Sequence, residues 1–182
     1  KVTPFIVSEI IHMPLDRAIV AYEQVIGDLR TGKMGLADFM NTLRQTYAAD
    51  RNIEELEEQY KKYYFKQALV DSEMMGVVKD LSLRYRLVAF TNMIDLHIVW
   101  NRQRGLFEAF RDTFFSSQIG VAKPSAEAFT RMLTSITTSA SACLFVDDKE
   151  DNINQASGLG MHVHLFTSTA EVKGFLQKEG LL

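Results

Sequence analysis

The chain has 182 residues, enough for one domain, or one domain with a sizeable insertion, around a real buried core. Hydrophobic residues make up 47% and charged residues 24%, with a formal net charge of -3 at pH 7, which excludes the basic footprint of a nucleic-acid-binding surface. No apolar run reaches the roughly 20 residues needed to cross a bilayer, and no secretory leader pattern is seen, so no membrane partner is expected and a cytoplasmic location is favoured.

The sequence opens at Lys1 rather than at a methionine and runs into Thr3-Pro4, a pairing suited to the start of a helix. The expectation is that a preceding segment belongs to the protein. Up to about residue 70 the pattern is helical throughout. Residues 15–26 carry Leu15, Ala18, Ile19, Tyr22 and Ile26 at helical spacing, with Pro14 before them and Gly27 expected to end the helix. Residues 36–47 repeat the pattern with Leu36, Phe39, Met40, Leu43 and Tyr47. Residues 52–67 form a charged helix whose better face holds Ile53, Leu56, Tyr60, Tyr63 and Tyr64. These aromatic and methionine side chains read first as helix-packing core, with a ligand roof as the alternative.

From residue 71 the pattern changes to alternating helices and short apolar strands. Helix is expected over 71–84, through Leu96, Val99 and Trp100, through Ala126, Phe129, Met132 and Leu133, over 151–157 and over 170–177. Strands are expected at 87–90, around 113–117, at 142–146 and at 162–166. Such alternation predicts an α/β fold with a parallel sheet covered by helices on both faces. The division expected is a helical region at 1–70 and an α/β core at 71–182.

Ligands of open parallel sheets bind beyond the carboxyl ends of the strands. Three groups of residues fall there. They are Phe90-Thr91-Asn92, the loop Gly120-Val121-Ala122-Lys123-Pro124, and Asp147-Asp148 followed by Lys149-Glu150-Asp151-Asn152. Each has a plainer explanation: Thr91 as a helix cap, Lys123 as a solvated loop lysine, the two aspartates as caps. Adjacent carboxylates after an apolar strand repel one another unless donors or a cation neutralise them, and Mg2+ is a hard, oxygen-liganded cation that does so. A hydroxyl, a lysine and a carboxylate-held metal together form a phosphate site. The single cysteine, Cys143, lies within the apolar run Ala142–Val146 and reads as inert. His97, His162 and His164 lack a third partner at ligand spacing and read as structural.

Val88–Asn92, Gly120–Pro124 and Phe145–Asn152 with Ala156-Ser157-Gly158-Leu159-Gly160-Met161 resemble, in order, the second, third and fourth motifs of the haloacid dehalogenase (HAD) superfamily. Phe90-Thr91-Asn92 with His97, and Val146-Asp147-Asp148 with Asn152, are similar to its sugar-phosphate phosphatase and epoxide-hydrolase-like phosphatase subgroup. The helical first part resembles the cap that these enzymes insert between motifs one and two. The resemblance implies a Rossmann-like core with an all-helical cap, Thr91 and Asn92 on the phosphoryl group, Lys123 neutralising charge, Asp148 ligating Mg2+ and Asp147 supporting the metal. It implies a Mg2+-dependent phosphatase acting on a small phosphorylated metabolite through an aspartyl-phosphate. The dehalogenases of the superfamily need no metal, so the acid pair favours the phosphatase branch. The first motif, a central strand ending in the attacking aspartate, is not found before Thr91, and the chain by itself is therefore expected to be inactive. Its central neighbours would then be left with a gap, a direct pairing, or a strand from another chain, a homodimer included. The alternative reading is a non-catalytic binding protein on the same fold.

Overall fold

A computed structural model describes residues 2–182. The helical part comprises α1 (Val2–Ile11), α2 (Leu15–Thr31), α3 (Leu36–Tyr47) and α4 (Ile53–Gln67). Asn52 starts α4 by accepting hydrogen bonds from the amides of Glu54 and Glu55 at 2.7 and 3.4 Å, and those two acids complement the positive end of the helix. Helix α2 does not stop at Gly27. It continues to Thr31 and ends at Gly32, whose φ of 72° is left-handed. A helical glycine costs only about 1 kcal/mol relative to alanine, which packing easily overrides. Thr3 lies inside α1, with its hydroxyl turned inward to Tyr60 rather than capping the helix.

The remainder alternates: α5 (Ser72–Ser82), β1 (Val88–Thr91), α6 (Asp95–Gln103), β2 (Asp112–Phe115), α7 (Ser116–Ile119), α8 (Ala126–Ile136), β3 (Leu144–Asp147), α9 (Glu150–Gly158), β4 (His162–Leu165) and α10 (Thr169–Lys178). Every strand pairing is parallel: β1 with β2, Thr91 opposite Phe115, and β3 with β4, Asp147 opposite Leu165. The expected sheet is thus present as two separate two-stranded parallel sheets, and β1 and β3 share no ladder among the described residues. Side chains join the two. Phe129 of α8 packs edge-on against Phe90 and Phe145, with ring centroids 5.1 and 5.2 Å away, beside a Phe90–Phe145 separation of 6.3 Å.

Strand β3 shows why both faces must be covered. Phe145 points into one apolar cluster with Phe129, Met132 and Ala156, whereas Leu144 and Val146 point into another with Val77, Val172 and Leu176. That is the two-residue period of a strand buried on both sides. A third cluster fills the helical part, built from Ile6, Val7, Leu36, Met40, Leu56 and Tyr60. It also takes in Ile94 and Trp100, so α6 packs with the helical part although it follows a core strand in sequence.

Contacts across this seam are close. A Cβ added to Gly32 would lie 2.1 Å from the carbonyl oxygen of Ser117. Asp95 of α6 accepts the Leu36 amide at the start of α3 (3.1 Å) while also accepting its own neighbour Leu96 (2.8 Å).

Candidate active site

The carboxyl ends of β1 and β3 are joined by one side chain, Lys123. Its ammonium donates to the Phe90 carbonyl oxygen and to Asp147 Oδ2, both at 2.6 Å, and the residue is only 8% exposed. It therefore is no solvated loop lysine. Burial strips water from the ammonium and pulls its pKa below the ordinary lysine value, while the Asp147 hydrogen bond and the Asp147 and Asp148 charges oppose that shift. The rings of Phe90 and Phe145 lie 4.9 and 5.1 Å from the ammonium and supply further cation–π attraction.

Asp147 is fully engaged by the protein. Besides Lys123 on Oδ2, its Oδ1 accepts from the Lys149 amide at 3.0 Å and from Asn152 Nδ2 at 2.8 Å. Burial alone would raise its pKa, but the donated bonds from Lys123 and Asn152 outweigh it and hold the carboxyl below the usual range. Asp148, next along the chain, is exposed and makes no hydrogen bond or ion pair among the described residues. Of the pair, Asp148 is the carboxylate open to a cation. Mg2+ commonly takes one or two protein carboxylates and completes its shell with water and phosphate oxygens, a demand this donor set fits. No group of three or more His, Cys, Asp or Glu that could hold a metal occurs among the described residues.

Thr91 ends β1 half-buried. It does not cap α6, whose N-cap position is Ile94 and has no side-chain cap. Asn92 lies beside Lys123, its carboxamide paired with the Lys123 main chain. All five predicted residues thus cluster at the ends of β1 and β3 or in the Lys123 loop. Sequence reasoning did not single out Ser116, fully buried, whose hydroxyl accepts the Met93 amide at 3.2 Å and ties the exit of β1 to the end of β2. It also missed the paired rings around the ammonium, although Phe90 directly precedes Thr91 and Phe145 is separated from Asp147 only by Val146.

The histidines lie apart from this cluster. His97 faces the helical part, stacked on Tyr64 at 4.0 Å, with Nε2 3.1 Å from the Tyr60 hydroxyl. Burial pushes its pKa down to about 3. His164 pairs with Glu171 at 2.8 Å and stacks on Phe175. Cys143 is half-buried, and burial raises its thiol pKa, the opposite of a reactive site.

No family model matches the chain. One stretch of 82 residues, 44% of the chain, is 34% identical to the sesquiterpene phosphatase astK of Aspergillus oryzae and spans 38% of the length of that relative. Among solved structures, a HAD family enzyme from Bacteroides thetaiotaomicron in complex with magnesium and inorganic phosphate is similar over 77% of this chain and 73% of that one, with a TM-score of 0.67 and 19% identity. A 2-haloacid dehalogenase from Pseudomonas syringae is similar over 92% of this chain and 82% of that one, with a TM-score of 0.61 and 16% identity. The resemblance seen in the sequence therefore holds for the architecture: the chain has the fold of HAD enzymes.

Proposed function

We propose that this chain carries the phosphate site of a Mg2+-dependent HAD-type phosphatase that hydrolyses a small organic phosphate. The observation that supports it most is the buried Lys123 ammonium, held at the carboxyl ends of two parallel strands beside the open carboxylate of Asp148. An ammonium has three donors, and two are used within the protein. The third suits a phosphoryl oxygen, which gains most from it as charge builds in the transition state. Thr91 would donate its hydroxyl to a second oxygen. When bound at Asp148, Mg2+ would supply charge neutralisation for the phosphoryl group.

The attacking group in this reading is an aspartate on a strand lying between β1 and β3, outside the 182 residues. Its carboxylate oxygen attacks phosphorus, the alcohol leaves with a proton from a general acid, and water then cleaves the aspartyl-phosphate to free the aspartate and inorganic phosphate. The helical part, residues 1–70, would serve as the cap that shapes substrate choice. The similarity to a sesquiterpene phosphatase makes terpenyl phosphates the first substrates to assay.

The test is Mg2+-dependent phosphate release by a form extended to include such a strand, with the 182-residue chain alone expected to be inactive. In the active form, Lys123→Ala should lower kcat about 100- to 1000-fold, the range for losing one transition-state charge donor. Asp148→Asn should weaken Mg2+ binding measured by calorimetry. Hydrolysis that survives Lys123→Ala would overturn the assignment; phosphate binding with no turnover by the extended form would instead identify a non-catalytic binding protein.

A further inference from the structure

Asn92 follows Thr91 directly, and the family resemblance places both on the phosphoryl group. In the structure its carboxamide is committed elsewhere. Nδ2 donates to the Lys123 carbonyl oxygen at 2.7 Å, and Oδ1 accepts from the Lys123 amide at 2.9 Å. A planar carboxamide joined to both main-chain groups of one residue fixes that residue's distance and its twist together. The pair links positions 31 apart in sequence.

The segment it holds has little else to fix it. Between α7 and α8 the chain leaves Gly120 in the left-handed conformation at φ 77° and forms no regular structure before Ser125. Apart from the bonds at its two ends, the Gly120 amide to Ser116 at 2.9 Å and the Ala128 amide to Ser125 at 3.0 Å, its main chain makes one turn, the Ser125 amide to the Ala122 carbonyl at 3.1 Å. A lysine side chain is a flexible four-carbon stem, so the place of its ammonium depends on where its Cα is held. Here that ammonium must reach two acceptors at once, the Phe90 carbonyl on β1 and Asp147 at the end of β3.

We infer that Asn92 is a positioning residue: by gripping the Lys123 main chain, it sets the Lys123 ammonium at the reacting centre, and it is not itself a phosphate ligand. The catalytic consequence rests on the proposed phosphatase reading; the grip does not. A displaced charge donor weakens the transition state more than the bound substrate, because misplacement on the order of 1 Å costs about 100-fold in rate. Loss of Asn92 should therefore appear in kcat and leave KM nearly unchanged.

The experiment compares Asn92→Ala and Asn92→Asp with the unaltered complete protein in two measurements. The first is hydrogen exchange of the Lys123 amide, with the β3 and β4 amides as internal reference. Asn92→Ala should speed exchange at Lys123 by at least about 50-fold without changing the reference amides, as expected of a local opening. Asn92→Asp keeps the acceptor and loses the donor, so part of the protection should remain. The second is steady-state hydrolysis of phenyl phosphate, where Asn92→Ala should lower kcat about 100-fold with KM within about 3-fold. Unchanged exchange at Lys123 in Asn92→Ala, or a raised KM with kcat intact, would overturn the inference and return Asn92 to the phosphate. If the unaltered protein hydrolyses no phosphate ester, the phosphatase reading fails, and the exchange measurement still decides the grip.

Discussion

Acid should weaken this fold through His97, and the size of the effect follows from its surroundings. The ring is stacked on Tyr64, and with the Tyr60 proton given to Thr3, His97 is assigned a hydrogen on Nε2 that it donates to the Tyr60 oxygen. Its Nδ1 has no hydrogen-bond partner among the described residues, so a second proton would be buried without an acceptor. The folded pKa is accordingly about 3, against 6.5 for an ordinary histidine. Between those values the unfolded chain binds more protons than the folded one, so stability is complete above pH 6.5 and falls as pH drops through the window. The linkage gives a loss of about 2.6 kcal/mol between pH 7.5 and pH 4.5. That figure hardly depends on how far below 4.5 the folded value sits, because the folded ring is neutral at pH 4.5 in either case. Urea unfolding of the native protein and of His97→Gln at both pH values isolates it, since the carboxylates titrate alike in each. Glutamine keeps a donor for Tyr60 and cannot take a proton. The native protein should lose about 2.6 kcal/mol more than the variant over this interval. An equal loss in both would refute a buried, neutral His97.

Two further pairs of substitutions test the packing around the site. Gly32→Ala places a Cβ 2.1 Å from the Ser117 carbonyl oxygen at a left-handed φ and should cost about 3 kcal/mol or more, whereas Gly27→Ala, in mid-helix with nothing within 4 Å, should stabilise by about 0.5–1 kcal/mol; thermal unfolding measures both. Asp147→Ala strands the Lys123 ammonium and should cost about 3–5 kcal/mol in denaturant unfolding, more than Lys123→Met, which leaves Asp147 its donors from Lys149 and Asn152; the reverse order would mean that Lys123 is hydrated.

The elements that could be read from the sequence are those governed by local rules. Asn52 and Asp71 cap α4 and α5, and the apolar strands end in polar residues where an open parallel sheet puts its chemistry. What could not be read depends on contacts far apart in the chain. Gly27 and Gly32 look alike as helix ends, and it is the left-handed φ of the second together with the approach of Ser117 that requires glycine there. Asn92 carries the same amide whether it meets a phosphate or the backbone of Lys123. The α/β pattern also gives α6 to the core, because strand and helix alternate there, yet its Trp100 and the Ile94 that precedes it complete the apolar cluster of the helical part. Periodicity identifies an apolar face without naming what covers it.

That placement of α6 ties two regions together. The helix begins three residues after Asn92, and along it Asp95 caps α3, His97 meets Tyr60, and Asn101 donates to the Tyr64 hydroxyl at 2.9 Å. Any swing of the helical part away from the strand ends must either break these buried polar bonds or carry α6 with it. Breaking them leaves the His97 Nε2 hydrogen and the Tyr64 hydroxyl without partners in an apolar seam, at about 1–3 kcal/mol for each orphaned group. Carrying α6 instead pulls on the segment holding Thr91 and Asn92. The position of the helical part is therefore referred mechanically to the residues that grip Lys123.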